Sequence, residues 1–426
     1  MIQKFEKVNK IKGELRLPGD KSISHRSVMF ASMAEGKSLI KNCSNSADVN
    51  STIECFKKLG ALIEKKGELL IVNGAGSRNF KEPPSELYAG NSGTTARLIT
   101  GILAAQNFKT VITGDESLSK RPMKRIIEPL SRMGAAIEAS DTGTLPITIY
   151  PSDNLHAIEY ELKVPSAQVK SAVILAALHL EQTTVIYEPV PTRNHTEIML
   201  GLETELYKNG KKIYASAINY PEPFEMTVPS DISTAAFFIA LTLLVPGSEL
   251  VIKNVSLNET RTGILAVLKM MGANILIENE ASENGEKTGD IRILSSDLVN
   301  TEISEEIIPN IIDEIPILSV AGVFAEGNFR INHAKELRYK ESDRIAALCS
   351  NYKKLGLDVE EFEDGFEVGG NIKNNHVLFE SYGDHRIAMA FAVMSMALER
   401  GGSVNEFESV AVSNPDFLKQ LNEIVA

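Results

Sequence analysis

The sequence predicts an α/β protein of two domains, or at most three, built from duplicated units. Its 426 residues are enough for two domains of ordinary size. Its composition, 43% hydrophobic and 23% charged, is typical of a folded globular protein. One phrase recurs along the chain: an amphipathic helix, a glycine, a strand, a polar turn and a second strand. This recurrence predicts βα units that are stacked within each domain.

The recurring phrase is centred on the glycine that follows the helix. Close copies lie around Gly60, Gly134, Gly272 and Gly356, and a weaker copy lies at Gly210. Glycine is favoured after the last helical turn because the chain adopts a positive φ there. The alternating residues that follow predict a hairpin. Helix–glycine–strand joints occur in any α/β protein, but four close copies favour duplication.

Two nearly continuous apolar helices begin after candidate N-caps. Ser166 and Asp231 each precede such a helix, and a Val-Pro pair stands just before each of them. Side-chain oxygens of Ser and Asp accept bonds from the first N–H groups of a helix. A helix that is apolar on all sides is buried. We therefore predict that both helices lie in the interior.

The charge and the apolar pattern exclude several classes of function. A net charge of −12 is unfavourable for non-specific nucleic-acid binding and for anionic membranes. The longest apolar run, residues 235–245, is shorter than the roughly 20 residues of a membrane span. No apolar signal segment begins the chain, and Cys43, Cys55 and Cys349 form no CxxC pair. We therefore expect a cytoplasmic protein with three reduced thiols.

Five segments bring cations, hydroxyls and glycines to loop-to-helix junctions. They are residues 17–27, 90–97, 120–125, 336–344 and 382–389. Such junctions favour phosphate or carboxylate because the helix dipole and the first N–H groups attract anions. For the first segment the alternative is a capped surface helix. For the third segment the alternative is a solvated run of charges.

The fourth segment also carries groups suited to proton transfer. Lys340 and Arg344 are spaced i, i+4, which predicts that they share one helical face. Glu341 lies between these cations and is a candidate for proton transfer. The seven histidines are scattered, and neither an HExxH motif nor a P-loop is present. We therefore expect no metal site.

The cations of these segments share one function in this interpretation. They predict a small polyanionic substrate that is held between two domains. The cations are Lys21, Arg26, Arg121, Lys124, Lys340, Arg344 and Arg386.

Seven motifs, in order along residues 4 to 420, resemble those of the 5-enolpyruvylshikimate-3-phosphate synthases. They are LPGDKSISHRS, GNSGTTARL, SLSKRPM, VPSAQVKSA, RNHTE, ELRYKESDR and YGDHRIAM. The resemblance implies two similar domains, each of three βαβαββ repeats with helices inside a ring of sheets, an inside-out α/β barrel. One domain would span residues 18–230, and the other residues 1–17 and 231–426. The two domains would close on the substrates.

The resemblance also implies a reaction. The enolpyruvyl group of phosphoenolpyruvate would pass to the 5-hydroxyl of shikimate 3-phosphate by addition and elimination, with release of phosphate. This is a step of the shikimate pathway to chorismate and the aromatic amino acids, and it needs no metal or organic cofactor. Together the two substrates carry a charge of about −5 to −6, which fits the cation set.

Roles for individual residues follow from the same resemblance. Shikimate 3-phosphate would contact Lys21, Ser22, Arg26, Ser166, Ala167, Gln168, Arg193, Asp313 and Lys340. Phosphoenolpyruvate would contact Lys21, Asn91, Gly93, Arg121, Gln168, Arg344 and Arg386. Asp313 would accept the hydroxyl proton or orient the hydroxyl, and Glu341 would deliver or remove the C3 proton. The sequence leaves open how Asp313, Glu341 and Lys21 divide the proton transfers.

The chain departs from the family pattern at a few positions. Thr192 stands where serine is usual, His195 replaces the tyrosine of one branch, and Val412 replaces a lysine that one branch uses against phosphoenolpyruvate. The motifs resemble a second branch that includes glyphosate-tolerant enzymes. Gly93, however, is the small residue associated with glyphosate-sensitive enzymes, so the sequence leaves sensitivity open.

Two alternative functions are weighed against this one. The sister transferase that acts on UDP-N-acetylglucosamine has a reactive cysteine in a mobile loop, and residues 110–125 contain none. A non-catalytic phosphosugar-binding homologue is disfavoured because Asp313, Lys340 and Glu341 are all retained. We therefore expect an enzyme that acts on the two small substrates as a monomer, without a nucleic-acid or membrane partner.

Overall fold

The structure, a computed structural model, describes residues 1–77 and 79–425. The described residues form 22 strands and 13 α-helices. The strands are β1 (Gln3–Phe5), β2 (Lys12–Arg16), β3 (Glu35–Lys41), β4 (Leu62–Lys66), β5 (Leu69–Ala75), β6 (Leu87–Tyr88), β7 (Thr110–Thr113), β8 (Ala136–Ala139), β9 (Ile147–Tyr150), β10 (Glu159–Glu161), β11 (Thr184–Glu188), β12 (Thr204–Tyr207), β13 (Gly210–Ala215), β14 (Glu225–Thr227), β15 (Glu249–Ser256), β16 (Asn274–Glu283), β17 (Glu286–Leu294), β18 (Phe329–Ile331), β19 (Asp358–Glu361), β20 (Phe366–Gly369), β21 (Leu378–Glu380) and β22 (Gly402–Asn405). The helices are α1 (Lys21–Met33), α2 (Ala47–Lys58), α3 (Gly93–Leu103), α4 (Lys124–Arg132), α5 (Ala167–Ala177), α6 (His195–Met199), α7 (Ile232–Leu244), α8 (Gly263–Met270), α9 (Ile308–Ile311), α10 (Ile315–Phe324), α11 (Arg344–Lys354), α12 (His385–Ala397) and α13 (Phe417–Ile424).

The chain divides into two compact units, each with its own hydrophobic core. Unit 1 comprises Met1–Pro18, Pro229–Ser282 and Lys287–Ala426, and unit 2 comprises Gly19–Val228 and Glu283–Glu286. Residues 283–286, between β16 and β17, belong to unit 2, and the sequence pattern did not predict this.

Unit 2 contains three four-stranded sheets of the same topology. Their strand orders are β14-β3-β5-β4, β6-β7-β9-β8 and β10-β11-β13-β12. In each sheet the first two strands are parallel, and the last two form an antiparallel hairpin. A parallel pair needs a crossover connection, and helix α3 joins β6 to β7 while α5 joins β10 to β11. In the first sheet, β14 comes from the end of the unit to pair with β3. The βαβαββ unit that the resemblance implied is therefore continuous in the chain twice, and a third copy is completed by β14.

Unit 1 repeats this plan with two reductions. Its first sheet, β16-β17-β15-β2, has four strands, but the sheets β18-β20-β19 and β1-β22-β21 have three. The strand expected beside β18 is reduced to a parallel bridge between Val299 and Glu326. In the last sheet, β1 pairs antiparallel with β22 in the place of a following hairpin. This substitution explains why the sequence displays five copies of the recurring phrase rather than six.

The glycines of the recurring phrase end their helices as predicted, with one exception. Gly60, Gly134, Gly272 and Gly356 follow α2, α4, α8 and α11 with φ of 99°, 93°, 93° and 75°. The prediction at Gly210 is wrong, since this residue begins β13. The helix-ending glycine of that copy is Gly201, which follows α6 with φ of 59°. The short α6 gave too little helical periodicity to locate it.

The first helix of each repeat is buried. These helices are α1, α3 and α5 in unit 2 and α7, α10 and α12 in unit 1. Ser166 and Asp231 cap α5 and α7, as predicted, by accepting bonds from Val169 N and Ser233 N. At Gly101 a Cβ atom would lie 2.2 Å from the Ala172 carbonyl oxygen. Glycine therefore lets α3 pack directly on the backbone of α5.

Within the described ranges, no single helix is long and apolar enough to cross a membrane. One bent pair, Glu305–Ile311 with Ile315–Phe324 at 112°, together reaches the length and composition of a broken span.

Candidate active site

The N-terminus of α1 lies in unit 2 and is capped. The Asp20 carboxylate accepts a bond of 2.9 Å from Ile23 N, and Lys21 Nζ lies 2.9 Å from Asp48 Oδ2. From Ile23 to Met33 the helix is buried. The alternative prediction for this segment was a capped surface helix. The helix is capped, but it is buried and does not lie at the surface. Ser22 lies in the first turn, where its carbonyl oxygen accepts a bond from Arg26 Nη1.

Arg26 is a buried cation whose side-chain partners are hydroxyl groups. Its Nε donates to Thr196 Oγ1 at 2.7 Å, and its Nη2 donates to Ser171 Oγ at 3.1 Å. Burial lowers the pKa of Arg26 to about 10, and the nearby charge of Arg193 acts in the same direction. Two cations thus lie close together. The charges of Glu197, Asp20 and Glu286 act in the opposite direction and favour the charged guanidinium. A charged guanidinium with several donors can bind an anionic ligand.

The N-terminus of α5 joins this region to α3. Ala167 begins the helix behind its cap, and Gln168 follows. Gln168 Oε1 accepts a bond of 2.6 Å from Arg97 Nη1, while its Nε2 donates to Thr94 Oγ1 at 3.1 Å. Arg97 was not among the predicted site residues, although it stands in the GNSGTTARL motif. The sequence feature that could have indicated Arg97 is a cation in the second turn of an otherwise apolar helix.

Two guanidinium groups converge on Gly93, the first residue of α3. A Cβ atom at this glycine would lie 2.8 Å from Arg97 Nη1 and 3.6 Å from Arg121 Nη1. Arg121 Nη2 donates to Asn91 Oδ1 at 3.0 Å, and Asn91 Nδ2 donates to Asp115 Oδ2 at 2.7 Å. The structure therefore brings Asn91, Gly93 and Arg121 together.

The run of cations at residues 120–125 is divided between two roles. Lys120 is exposed and pairs with Glu116 at 2.7 Å, and Lys124 is exposed at the start of α4. Arg121 instead bonds to Asn91. The alternative of a solvated charge run is therefore right for the two lysines. Among the described residues, Lys124, which the sequence placed in the cation set, shares no hydrogen-bond or ion-pair partner with the other members.

Asp313 is the centre of the cluster in unit 1. Its Oδ1 lies 3.2 Å from Arg344 Nη1 and 3.5 Å from Lys340 Nζ. Arg386 donates to the Asp313 carbonyl oxygen at 2.8 Å, and its Nη2 lies 3.9 Å from Asp313 Oδ2. Glu341 Oε2 lies 2.5 Å from Arg344 Nη2. All five residues that the sequence predicted in this half of the site are therefore assembled.

Arg344 connects three carboxylates. Besides Asp313 and Glu341, it binds Asp384 through Nε at 2.8 Å and Nη2 at 3.3 Å. Burial alone would lower the pKa of Arg344, but the charges of Asp384, Glu341 and Asp313 raise it above its ordinary value. Arg344 likewise keeps the pKa of the buried Asp384 below its ordinary value, against the effect of desolvation. Arg344 is therefore a permanent cation in this cluster.

The prediction that Lys340 and Arg344 share one helical face is wrong. A 3-10 helix ends at Tyr339, and α11 begins only at Arg344. The Asp343 carboxylate caps α11 by accepting a bond from Ala346 N, which fixes the start of the helix after residue 343. The two cations nevertheless meet at Asp313 because the intervening loop turns Lys340 back toward it.

The two clusters differ in charge. In unit 1 five carboxylates surround three cations: Asp313, Glu314, Glu336, Glu341 and Asp384 against Lys340, Arg344 and Arg386. In unit 2 five cations lie among five carboxylates: Lys21, Arg26, Arg97, Arg121 and Arg193 against Asp20, Asp48, Asp115, Glu197 and Glu286. The sequence predicted an excess of cations in both halves. It counted the cations of the motifs without the carboxylates that the fold brings to them.

Comparison with known proteins identifies the family. The family model of EPSP synthase (3-phosphoshikimate 1-carboxyvinyltransferase) matches residues 5–421. The chain belongs to the EPSP synthase family. A 3-phosphoshikimate 1-carboxyvinyltransferase of Petrotoga mobilis is 47% identical over 420 residues, which are 97% of each chain. One from Bacillus licheniformis is 45% identical over 420 residues and 98% of each chain.

Solved structures agree with this assignment. The EPSP synthase of Acinetobacter baumannii superposes with a TM-score of 0.88 at 39% identity, over 99% of this chain and 97% of that one. The enolpyruvyl transferase NikO of Streptomyces tendae shares the fold, with a TM-score of 0.76 at 15% identity over 99% of this chain and 97% of its own. The EPSP synthase fold that the motifs implied is therefore confirmed.

The cysteines of this EPSP synthase family member are poor nucleophiles. Burial raises the pKa of Cys43 to about 11 and the pKa values of Cys55 and Cys349 to about 12. Since the thiolate is the reactive form, these thiols stay inert near neutral pH. This agrees with the absence of a cysteine from residues 110–125. Among the described residues, no group of three or more His, Cys, Asp or Glu side chains could hold a metal ion.

The residues that depart from the family pattern have structural contacts. Thr192 Oγ1 donates to the buried Glu188 at 2.6 Å, and His195 Nδ1 lies 2.6 Å from Glu286 Oε1. Val412 ends a 3-10 helix that begins at Phe407.

We expect His25, behind Lys21 in α1, to make stability depend on pH. Its Nδ1 lies 2.7 Å from Thr52 Oγ1, and burial lowers its pKa from 6.5 to about 3. Between these values the unfolded chain binds a proton that the folded chain does not. Stability is therefore complete above pH 6.5 and falls as the pH falls, by about 2 kcal/mol at pH 5.

Urea unfolding at pH 7 and pH 5 measures this effect. In His25→Gln, the part of the pH dependence that belongs to His25 should disappear. His156→Gln, at an exposed position of the same unit, should retain the wild-type pH dependence. An unchanged pH dependence in His25→Gln would contradict the expected titration.

Proposed function

We propose that the protein transfers the enolpyruvyl group of phosphoenolpyruvate to the 5-hydroxyl of shikimate 3-phosphate. The hydroxyl oxygen bonds to C2 while C3 gains a proton. The tetrahedral intermediate then loses phosphate and the C3 proton. Family membership supports this reaction, and the observation that carries it is the bridging of Asp313 and Glu341 by one buried arginine. Two carboxylates beside fixed cations can accept one proton and deliver another.

The five cations of unit 2 support a role in binding the substrate anions. We propose that shikimate 3-phosphate contacts Lys21, Ser22, Arg26, Ser166, the backbone N–H of Ala167, Gln168 and Arg193. Arg26 supports this most strongly, because its guanidinium is buried and is hydrogen-bonded to the hydroxyls of Thr196 and Ser171. The N-terminus of α5 adds N–H groups and a helix dipole, both of which favour phosphate.

The unit 1 cluster supports a role in proton transfer and in binding phosphoenolpyruvate. We propose that Asp313 accepts the hydroxyl proton, while Glu341 delivers and later removes the C3 proton. Lys340 would contact shikimate 3-phosphate, and the planar guanidinium groups of Arg344 and Arg386 would contact phosphoenolpyruvate. Lys21 would stabilise charge that develops on the reacting atoms.

Asn91, Gly93, Arg121 and Gln168 complete the proposed site for phosphoenolpyruvate. For Gly93→Ala we expect the KM for this substrate to rise about tenfold, as for an anion contact weakened by about 1.4 kcal/mol. The new methyl group would lie 2.8 Å from Arg97 Nη1, which its bond to Gln168 holds in place. Steady-state kinetics with each substrate varied in turn would measure it. A rise of equal size in the KM for shikimate 3-phosphate would contradict a local effect.

Phosphate release from phosphoenolpyruvate tests the proposed reaction directly. We expect release near neutral pH only when shikimate 3-phosphate is also present. Release with UDP-N-acetylglucosamine instead would assign the sister activity. A folded sample that releases no phosphate with either acceptor would indicate a binding protein.

We also propose a cytoplasmic monomer that acts on these two substrates alone. The described cysteines form no disulfide, which supports a reducing compartment. Light scattering of the purified protein would measure its mass, and a value of twice 46.6 kDa would contradict the monomer.

A further inference from the structure

A group of four charges, three of them buried and Lys211 partly exposed, lies behind the proposed contacts to shikimate 3-phosphate in unit 2. Lys170, in the second turn of α5, is fully buried, and its Nζ lies 2.6 Å from Glu188 Oε1 and 2.8 Å from Glu197 Oε1. Lys211 Nζ lies 3.1 Å from Glu197 Oε1 and 3.5 Å from Glu188 Oε2. Two lysines therefore balance two glutamates. We call these four residues the buried charge cage.

The two lysines favour the ionised form of Glu197. Burial alone would raise the pKa of Glu197, but the charges of Lys170 and Lys211 lower it below its ordinary value. A buried ion pair contributes little net stability, because desolvation offsets much of its Coulomb attraction. What such a pair supplies is a fixed geometry for the elements that carry it. The function of the cage is therefore to be sought in the elements it joins.

Glu188 joins the cage to the loop that carries Arg193. Its Oε1 accepts bonds from Thr192 N at 3.1 Å and from Thr192 Oγ1 at 2.6 Å. Thr192 directly precedes Arg193, so these bonds restrict the backbone from which the guanidinium extends. Lys170 stands two residues after Gln168, so the same cage also holds the N-terminal part of α5.

Glu197 joins the cage to Arg26. It directly follows Thr196, whose Oγ1 accepts the bond from Arg26 Nε and lies 2.7 Å from Ser171 Oγ. Ser171 directly follows Lys170 in α5. The cage therefore connects three of the groups that are proposed to bind shikimate 3-phosphate: Arg26, Arg193 and the start of α5.

We propose that Lys170 and Glu188 are positioning residues for shikimate 3-phosphate, which they do not touch. The cage holds Arg193 and the start of α5 in the arrangement that this anion requires, before the anion binds. Preorganised contacts raise affinity because less ordering is needed on binding. The inference rests on the proposed function, since it takes shikimate 3-phosphate as the ligand.

Two double variants test the proposal. Lys170→Met with Glu188→Gln and Lys170→Met with Glu188→Leu both remove one positive and one negative charge. Only the glutamine keeps an acceptor for Thr192. We expect the leucine variant to bind shikimate 3-phosphate about 10- to 100-fold more weakly than the glutamine variant. Calorimetric titration with shikimate 3-phosphate alone measures the Kd.

A matched control separates positioning from stability. Lys253→Met with Asp290→Asn removes a partly buried ion pair of 2.5 Å in unit 1. We expect this variant to lose some thermal stability while its Kd for shikimate 3-phosphate stays within twofold of the wild type. A purely structural role of the cage would lower the melting temperature of both double variants at Lys170 and leave their Kd values equal.

The outcomes distinguish a failure of the proposed function from a failure of the positioning role. If wild-type protein does not bind shikimate 3-phosphate, the proposed function fails. If wild type binds and the two double variants bind equally well, the positioning role is wrong. If the leucine variant does not fold, Thr192→Val decides, because it removes only the hydroxyl donor to Glu188. Weaker binding in Thr192→Val that Thr192→Ser restores supports the role, and wild-type binding in Thr192→Val overturns it.

Discussion

Arg344→Lys is expected to lower kcat/KM for phosphoenolpyruvate by about 10³-fold while the protein still folds. The guanidinium contacts Asp384 with two nitrogens and contacts Asp313 and Glu341 with its other edge. A lysine keeps the charge, but one ammonium group cannot span acceptors that a planar fork reaches on both edges. The carboxylates would lose their fixed spacing, and the proposed anion contact would lose its second donor.

The matched control for this prediction is Arg338→Lys. Arg338 also joins two carboxylates, with Nη1 at 2.8 Å from Asp343 and Nη2 at 3.0 Å from Glu361. It contacts no proposed substrate-binding residue, so we expect kcat/KM to stay within about threefold of the wild type. Circular dichroism and thermal melting should confirm that both variants fold. Equal losses of activity in the two variants would contradict a special role for Arg344.

Glu341→Gln is expected to lower kcat by about 10³-fold and to leave the KM of both substrates nearly unchanged. Glutamine has the size of glutamate and can still accept a bond from Arg344 Nη2, so the cluster should keep its shape. An amide cannot deliver a proton to C3 or remove one. The loss should therefore fall on the chemical step, and it would be measured by steady-state kinetics and by exchange of the C3 protons with deuterated solvent.

Glu336→Gln is the control for the charge change. Glu336 Oε1 lies 2.8 Å from Lys340 Nζ, and about half of the side chain is exposed. We expect its kcat to remain within about threefold of the wild type, as is usual for an exposed ion pair. If Glu341→Gln retains its kcat, or if Glu336→Gln loses as much, Glu341 does not carry the C3 proton.

Local features of the fold could be predicted because local chemistry determines them. A glycine after a helix takes a positive φ, and Gly60, Gly134, Gly272 and Gly356 all do so. A Ser or Asp before an apolar run caps the helix, as Ser166 does for α5. Each of these features depends on a few neighbouring residues, so the sequence alone contains the required information.

Features that depend on distant residues could not be predicted in the same way. The i, i+4 spacing of Lys340 and Arg344 indicated one helix, but Asp343 caps a new helix between them. The Lys–Arg pair meets at Asp313, which is 27 and 31 residues away in the chain. The sequence motifs also did not indicate how many carboxylates the fold would place beside these cations.

Two contributors to the site were missed for different reasons. Arg97 lies within a recognised motif, but its helix is apolar and its partner Gln168 is 71 residues away. Asp384 lies in the segment of residues 382–389, whose sequence indicates only a loop-to-helix junction. It does cap that helix through Arg386 N, and the same carboxylate also holds Arg344. A side chain with one local role and one distant role shows only the local role in the sequence.

The divided chain of unit 1 determines the order in which its sheets can form during synthesis. Strand β2 pairs with β15, which begins at Glu249, and β1 pairs with β22, which begins at Gly402. Almost all of unit 2, residues 19–228, is made before either partner exists. On the ribosome, unit 2 can therefore fold while β1 and β2 are still unpaired. Unpaired strand edges promote association with other chains. Both strands are short, three and five residues, which limits that exposure.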